Sequence, residues 1–467
     1  MAFKLDKVNI SDGEVLPIIE GGKGINISTG LTAGSFAAAG AVGTISGTNS
    51  DFYDENGNYI PYHFDAKSTR KEKHDALVEQ SIRGCIAQAK IAHDVSCGEG
   101  RIHFNFLWEA GGTKIVMDEA LSKTKGLIHG ITSGAGLPYA LSDIAAKYNV
   151  YYYPIISSSR AFSILWKRSY NKTSQLLGGV VYEDPWLAGG HNGLSNQEDP
   201  NTRQDPYLRI VEIRKVMNEL GLAHVPIIIA GGVWNLAEWS NYINNPEIGL
   251  VAFQFGTRPL LTAESPISSA WKQKLLNLKE GDVSLNKFSP TGFYSSAVNN
   301  IFLQELYARS ARQMFAERKP SDEFPKEVIS QNGITKFYVR AEDYSRASAY
   351  INEGFNTLLK TPEDTIIFET PQAAESIKTD QQNCMGCLSA CRFSNWSENE
   401  KNTTGILPDP RSFCIERTLQ DVGHGGSIDN NLLFSGHHAY RFATDPLYKN
   451  GHIPTIAELV AKITIGE

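Results

Sequence analysis

Read for hydrophobic and polar positions alone, the first 290 or so residues alternate between short, largely apolar runs and longer segments of helical period. The runs fall at 16–19, 42–46, 102–107, 127–131, 150–156, 177–182, 225–230 and 250–255. Short apolar runs without polar alternation are the pattern of strands buried on both faces, as in a parallel sheet. Between them lie helix-like segments: a small-residue stretch at 29–39, then 74–93 with Leu77, Ile82, Ile86 and Ile91 in helical spacing. Further helices are expected up to Tyr148 behind Pro138, from Pro206 to Leu220, and over 235–244, since proline is well tolerated in the first turn of a helix. Eight strand-then-helix units predict an α/β fold, one closed (β/α)8 TIM barrel. An open, doubly wound sheet is the rival architecture. Against it, Gly21, Gly22 and Gly24 after the first run lack the G-x-G-x-x-G spacing, and the glycines suited to a phosphate come late in the chain.

Past residue 292 the pattern changes. A long helical stretch at 296–317 gives way to a charged, proline-containing segment at 318–326 and to strand-like segments at 335–339 and 365–368. The organisation expected is a barrel over 1–292, an inserted α+β element over 293–380 and a Cys-rich C-terminal segment over 381–467. That last segment ends in an amphipathic helix at 455–463, whose Ile456, Leu459, Val460 and Ile463 would dock it on the body.

Composition narrows the classes of function. At 467 residues and 41% hydrophobic the chain can bury a large core, and a net charge of −7 supplies no basic field for sequence-independent nucleic-acid binding. The start, MAFKLDKVNISDGEV, lacks an apolar signal core, and no run approaches the roughly 18 apolar residues of a membrane span. A cytoplasmic protein without a membrane or nucleic-acid partner is therefore expected. Four of the six cysteines crowd at Cys384, Cys387, Cys391 and Cys414, which in a chain without a secretion signal argues for metal chemistry rather than disulfides.

The richest chemistry lies in 225–258. Two strand-like runs end there in Gly231 and Gly232 and in Gly256 and Thr257. Glycines at strand ends let backbone N–H groups approach an anion without a Cβ in the way, and in (β/α)8 barrels the loops after strands seven and eight are the recurrent phosphate site. A phosphorylated cofactor across the barrel mouth would meet the other strand ends: glycines 21–24, the amides of Asn105 and Gln254, and donors at Ser133 and Gly134.

Taken together, PIIEGGKG at 17–24, ITSGAGLP at 131–138, PIISSSR at 154–160, AGGH at 188–191, AGG at 230–232 and QFGTR at 254–258 resemble the nitronate monooxygenase family, which also includes flavin-dependent enoyl-acyl-carrier-protein reductases. The resemblance runs the length of the barrel in order. It implies a non-covalent FMN whose phosphate is held by Gly231, Gly232, Gly256 and Thr257, with Gly22, Asn105 and Gln254 near the ring and ribityl chain. Gly24 and Gly190 join the cofactor-binding positions. Lys23 stands where many relatives have methionine. His191 matches the family's catalytic histidine, and removing a proton next to a nitro or carbonyl group calls for a base with a pKa near ambient pH. The alternative is a histidine that only hydrogen-bonds the flavin. Glu183 could orient His191 or bind ribityl hydroxyls, and Arg160 and Arg258 could bind an acidic substrate or the flavin pyrimidine edge. Helix capping or surface pairing are the other readings of these three.

The spacing C-x2-C-x3-C of Cys384, Cys387 and Cys391, with Cys414 distant, favours a [4Fe–4S] cluster over a structural zinc site, because Cys414 has no C-x2-C mate. The function expected is an FMN-dependent oxidoreductase with an iron–sulfur centre feeding or draining the flavin. It would act on a small molecule, supplied by an electron-donor protein or NAD(P)H, with a homodimer as a candidate assembly. Two alternatives stand beside it: a flavin-dependent enoyl-thioester reductase, and a non-catalytic electron-carrier or interaction module built on zinc.

Overall fold

A computed structural model describes residues 5–54, 58–63, 65, 67–331 and 333–467. Eight parallel strands close a barrel: β1 Ile18–Glu20, β2 Val42–Ser46, β3 Arg101–Leu107, β4 Gly130–Gly134, β5 Tyr151–Ile156, β6 Val180–Glu183, β7 Ile227–Ala230 and β8 Val251–Phe255. Each pairs with its sequence neighbours, and β8 closes on β1 through Phe253 opposite Ile18 and Gln254 opposite Ile19. The fold is the expected (β/α)8 barrel. Burial explains why these runs lack polar alternation. β2, β4 and β7 have no exposed residue, one face filling the barrel and the other meeting the helices. Ile19, Val42, Tyr153, Val181, Ile228 and Ala252 pack in one interior cluster, and a hairpin of Val8–Ile10 and Gly13–Val15 plugs the amino-terminal end. There Ser11 Oγ lies 3.0 Å from His103 Nε2 and 2.7 Å from the Tyr153 hydroxyl.

The helices obey their caps. Thr69 and Glu72 form a reciprocal capping box at the head of Arg70–Ser96, and Asp205 caps Pro206–Glu219, devices each worth about 1 kcal/mol. Two expected helices differ. Over 235–244 there is only a 3₁₀ turn, Ala237–Trp239. The stretch 296–317 divides into strand Ser295–Val298, helix Ile301–Ala311 and strand Gln313–Phe315, because Ser295–Val298 is claimed by a sheet with Val283–Asn286 and Gly190–His191.

The terminal helix Ile456–Thr464 packs Ile456, Leu459, Val460 and Ile463 into the main core. It contacts helix Gly30–Ala38, and Gly466 O accepts from Ala237 N at 3.0 Å. It therefore fills the ring position between the elements following β7 and preceding β2, where an eighth barrel helix belongs. No helix among the described residues is long and apolar enough to cross a membrane.

Candidate active site at the barrel mouth

The carboxyl ends of the strands open into a cavity of about 210 Å³. On its β7–β8 side the chain makes an anion cradle. Gly231 and Gly232 have φ of +83° and +77°, a region open to glycine at little cost. A Cβ at Gly231 would lie 2.9 Å from the Asp184 nitrogen, and one at Gly232 would collide with Leu187, whereas a Cβ at Gly256 would meet nothing within 4 Å. One wall is thus packed too tightly for side chains while the other faces open space, as a site for a bound phosphate requires. Gly436 N donates to Thr257 Oγ1 at 3.0 Å, and His438 Nδ1 donates to Gly232 O at 2.7 Å.

Gly22, Gly24, Asn105, Gly134, Gly190 and Gln254 line the same cavity. Gly22 is seated directly on Asn105, since an added Cβ would come within 2.7 Å of Asn105 Oδ1 and closer still to Asn105 Cβ and Cγ. Ser133 departs from expectation. It is fully buried and its hydroxyl donates to Phe106 O at 2.9 Å, so β4 reaches the cavity through Gly134 instead. The residues present fit FMN: a glycine cradle at one end, two side-chain amides and close backbone at the other.

His191 stands on the short strand Gly190–His191 and lines the cavity. Its Nε2 lies 2.6 Å from Ser289 Oγ, which is 2.8 Å from Thr291 Oγ1, and its ring meets Phe434 edge-on at 5.3 Å. Two expectations are corrected here. Ser289, not Glu183, orients the histidine. And burial, with no carboxylate beside the ring, lowers the His191 pKa to about 4 rather than poising it near neutrality. Glu183 also lines the cavity, and burial next to Asp184 raises its pKa to about 8. Burial thus favours the uncharged form of both side chains at the mouth.

The C-terminal segment supplies the remaining wall, which sequence reasoning missed: Leu432, Leu433 and Phe434, with Ile415, Glu416 and Leu419. Arg258 holds this segment down. It is fully buried and donates to Trp234 O at 2.8 Å and Glu467 O at 3.0 Å, with Asp445 Oδ2 at 3.3 Å, so it is a fastener and not a substrate ligand. Arg160 is exposed and outside the cavity.

Cys387 reaches the cavity wall, while Cys384 and Cys391 are buried behind it. Cys384 and Cys391 interact directly, a contact that lowers the Cys384 thiol while burial raises Cys387 and Cys414. The four thiols thus share one apolar nest with Trp396 and Phe413. Among the described residues no three His, Cys, Asp or Glu side chains converge as the ligands of a single ion.

Barrel, cradle and histidine define a class, a flavin-type oxidoreductase barrel. Residues 149–361, from β5 into the inserted element, match the family model described as nitronate monooxygenase. The chain is similar to that family, and its class is that of an FMN-dependent oxidoreductase. Solved structures similar to it include FabK from Thermotoga maritima, 12% identical over 96% of this chain and 91% of that one, with a TM-score of 0.49. The enoyl reductase domain of MlnA from Bacillus amyloliquefaciens is 12% identical over 96% and 94%, with a TM-score of 0.48. Nitroalkane oxidase from Streptomyces ansochromogenes is 14% identical over 62% and 79%, with a TM-score of 0.45. All three are remote and add nothing to what the barrel and the family match show. No curated protein matches the chain.

Proposed function

We propose that the protein binds FMN across the barrel mouth and oxidises or reduces a small molecule there, with an iron–sulfur centre on the four cysteines exchanging single electrons with the flavin. The observation that carries this is the shared cavity. Its wall includes Gly231, Gly232, Gly256, Asn105, Gln254, His191 and Cys387, so one space joins a phosphate cradle, a base and a cysteine of the thiol nest.

Gly231, Gly232, Gly256 and Thr257 would hold the phosphate, and Gly22, Gly24, Asn105, Gly134, Gly190 and Gln254 the ribityl chain and ring. When bound, FMN supplies a two-electron acceptor or donor. The His191 imidazole, kept uncharged by burial, can take a proton from carbon next to an activating group, the contact with the Ser289 hydroxyl fixing the ring plane. Glu183, whose protonated form burial favours, can donate one. Cys384, Cys387, Cys391 and Cys414 would hold the cluster. The C-x2-C-x3-C spacing with a distant fourth cysteine is what supports a cluster over a tetrahedral zinc site.

A second reading, an enoyl-thioester reductase, is favoured by one observation. The wall built by the C-terminal segment is apolar at Ile415, Leu419, Val422, Leu432, Leu433 and Phe434, with Glu416 its one carboxyl, a surface suited to an acyl chain rather than a small nitronate. Anaerobic assays with nitronates, and separately with enoyl thioesters plus NAD(P)H, decide between substrates. Visible spectra before and after dithionite, with metal analysis, test both cofactors. Colourless protein that takes up no FMN refutes the proposal, and zinc without a broad visible band refutes its iron–sulfur half.

A further inference from the structure

Among the described residues that line the cavity, Lys23 is the only lysine or arginine. Its placement is built rather than incidental. Glu20, at the tip of β1, accepts from Lys23 Nζ at 2.8 Å through Oε1, and Lys23 Nζ also donates to Gly21 O at 2.8 Å. Glu20 is itself fixed by Ser28 Oγ at 3.0 Å and by Thr44 N at 3.2 Å. The pair is directional: the lysine side chain is 12% exposed and the glutamate 0%, so the cation stands on the cavity side and its counter-ion behind it. An ammonium has three donors. Two are used within the protein, leaving one for whatever enters the cavity.

We infer that Lys23 is a tuning residue, holding positive charge beside the flavin ring so that the bound flavin is easier to reduce. The inference rests on the reading that FMN occupies this cavity. Two electrons and one proton added to a neutral flavin leave it with one negative charge. A fixed cation nearby favours that charged form, and charge near the ring nitrogens is a recognised means by which protein sets a flavin's electronics. Inside a low-dielectric cavity the attraction is much less screened than in water. Burial works against the lysine and lowers its pKa, while Glu20 raises it, which accounts for a carboxylate lying behind the ammonium. A methionine at this position would fill the space and supply no charge.

The test uses the FMN-loaded full-length protein, wild type, Lys23→Met and Glu20→Gln. The flavin potential is measured by slow enzymatic reduction against a reference dye. Sulfite, which adds to the ring and leaves it negatively charged, serves as an independent spectroscopic probe. Lys23→Met should shift the reduction equilibrium at least tenfold against reduced flavin, about 30 mV for a two-electron couple, and weaken sulfite binding by a similar factor. Glu20→Gln, which takes away the carboxylate that keeps the buried ammonium charged, should move both in the same direction by a smaller factor. If Lys23→Met does not fold or loses flavin, Glu20→Gln alone decides, and an unchanged potential there overturns the inference. An unchanged potential in Lys23→Met overturns it too. So does loss of preference for FMN over riboflavin with the potential intact, which would put the ammonium on the phosphate. Wild-type protein that binds no FMN would instead refute the underlying reading.

Discussion

Gly22→Ala tests the ring end of the site with the smallest change available. The backbone at Gly22 has no positive φ, so alanine meets no conformational penalty and the whole effect is steric. The new methyl would come within 2.7 Å of Asn105 Oδ1, and nearer to Asn105 Cβ and Cγ. Rotating the amide away relieves Cγ and Oδ1 but leaves Cβ in place. Asn105 cannot retreat, because β3 is paired opposite Ser46 on one side and Thr132 on the other, and Gly47 N donates to its carbonyl at 2.7 Å. The loop at 21–24 must therefore withdraw. Forcing a methyl into a packed contact costs about 1–3 kcal/mol. If that falls on the bound form, FMN affinity drops by roughly 5- to 150-fold, at about 1.4 kcal/mol per factor of ten. Quenching of FMN fluorescence on titration with apoprotein measures the loss, with thermal denaturation run alongside to separate it from general destabilisation. Asn105→Gly removes the opposing Cβ, so the double variant should recover part of the affinity that Gly22→Ala loses, a coupling visible only in the full cycle. A Gly22→Ala protein binding FMN within about twofold of wild type would refute the placement of the ring against this contact.

Other consequences follow from the same geometry. His191→Ala should retain FMN and lose turnover by about 10²- to 10⁴-fold, and full activity in the variant would remove the histidine from the chemistry. Because its pKa is lowered from 6.5 to about 4, the imidazole stays unprotonated above that value, so the His191-dependent rate should be flat from pH 5 to 8 and fall only below. The same depression means the unfolded chain binds more protons between those two values. Stability should therefore decline as pH drops from 6.5 toward 4, by up to about 3 kcal/mol from this residue, a slope that His191→Gln should reduce in denaturant titrations. Cys414→Ser should abolish iron content and the broad visible absorption while leaving the flavin spectrum. Arg258→Leu leaves Asp445 with Trp234 Nε1 but no cation and releases Glu467 O, costing up to about 3 kcal/mol in stability by analogy with other broken buried pairs and loosening FMN binding through the wall at 432–438, measured by melting temperature with and without FMN.

What could be read from the sequence and what could not divides along one physical line. The eight strands were legible because a strand buried on both faces has to be apolar at nearly every position, and that demand is local. The strand-end glycines at 231, 232 and 256 were legible for the same reason, since room for close backbone approach is written in the residue type itself, and all three line the cavity. The 3₁₀ turn over 235–244 was misread because its asparagines compete with the helical ladder. Asn235 Oδ1 accepts from Glu238 N at 3.1 Å and Asn244 takes a φ of +57°, and the ring position beyond is filled by a helix more than 200 residues away in sequence. Ser133 failed at the level of one side chain's direction at a strand end, which apolar periodicity does not set. The partner of His191 failed by distance, as Ser289 lies 98 residues further along. The tail is the largest instance. Gly436 reaches Thr257 across 179 positions, and no period, spacing or charge pattern records such a contact. The Cys-rich segment offered a ligand set by its spacing alone, and the structure gathers those four cysteines in one apolar nest. Ligand sets and backbone demands are properties of residue types, whereas orientation and tuning belong to pairs distant in sequence, so a histidine at a strand end can be picked out from the sequence while its pKa waits for the neighbours that desolvate it.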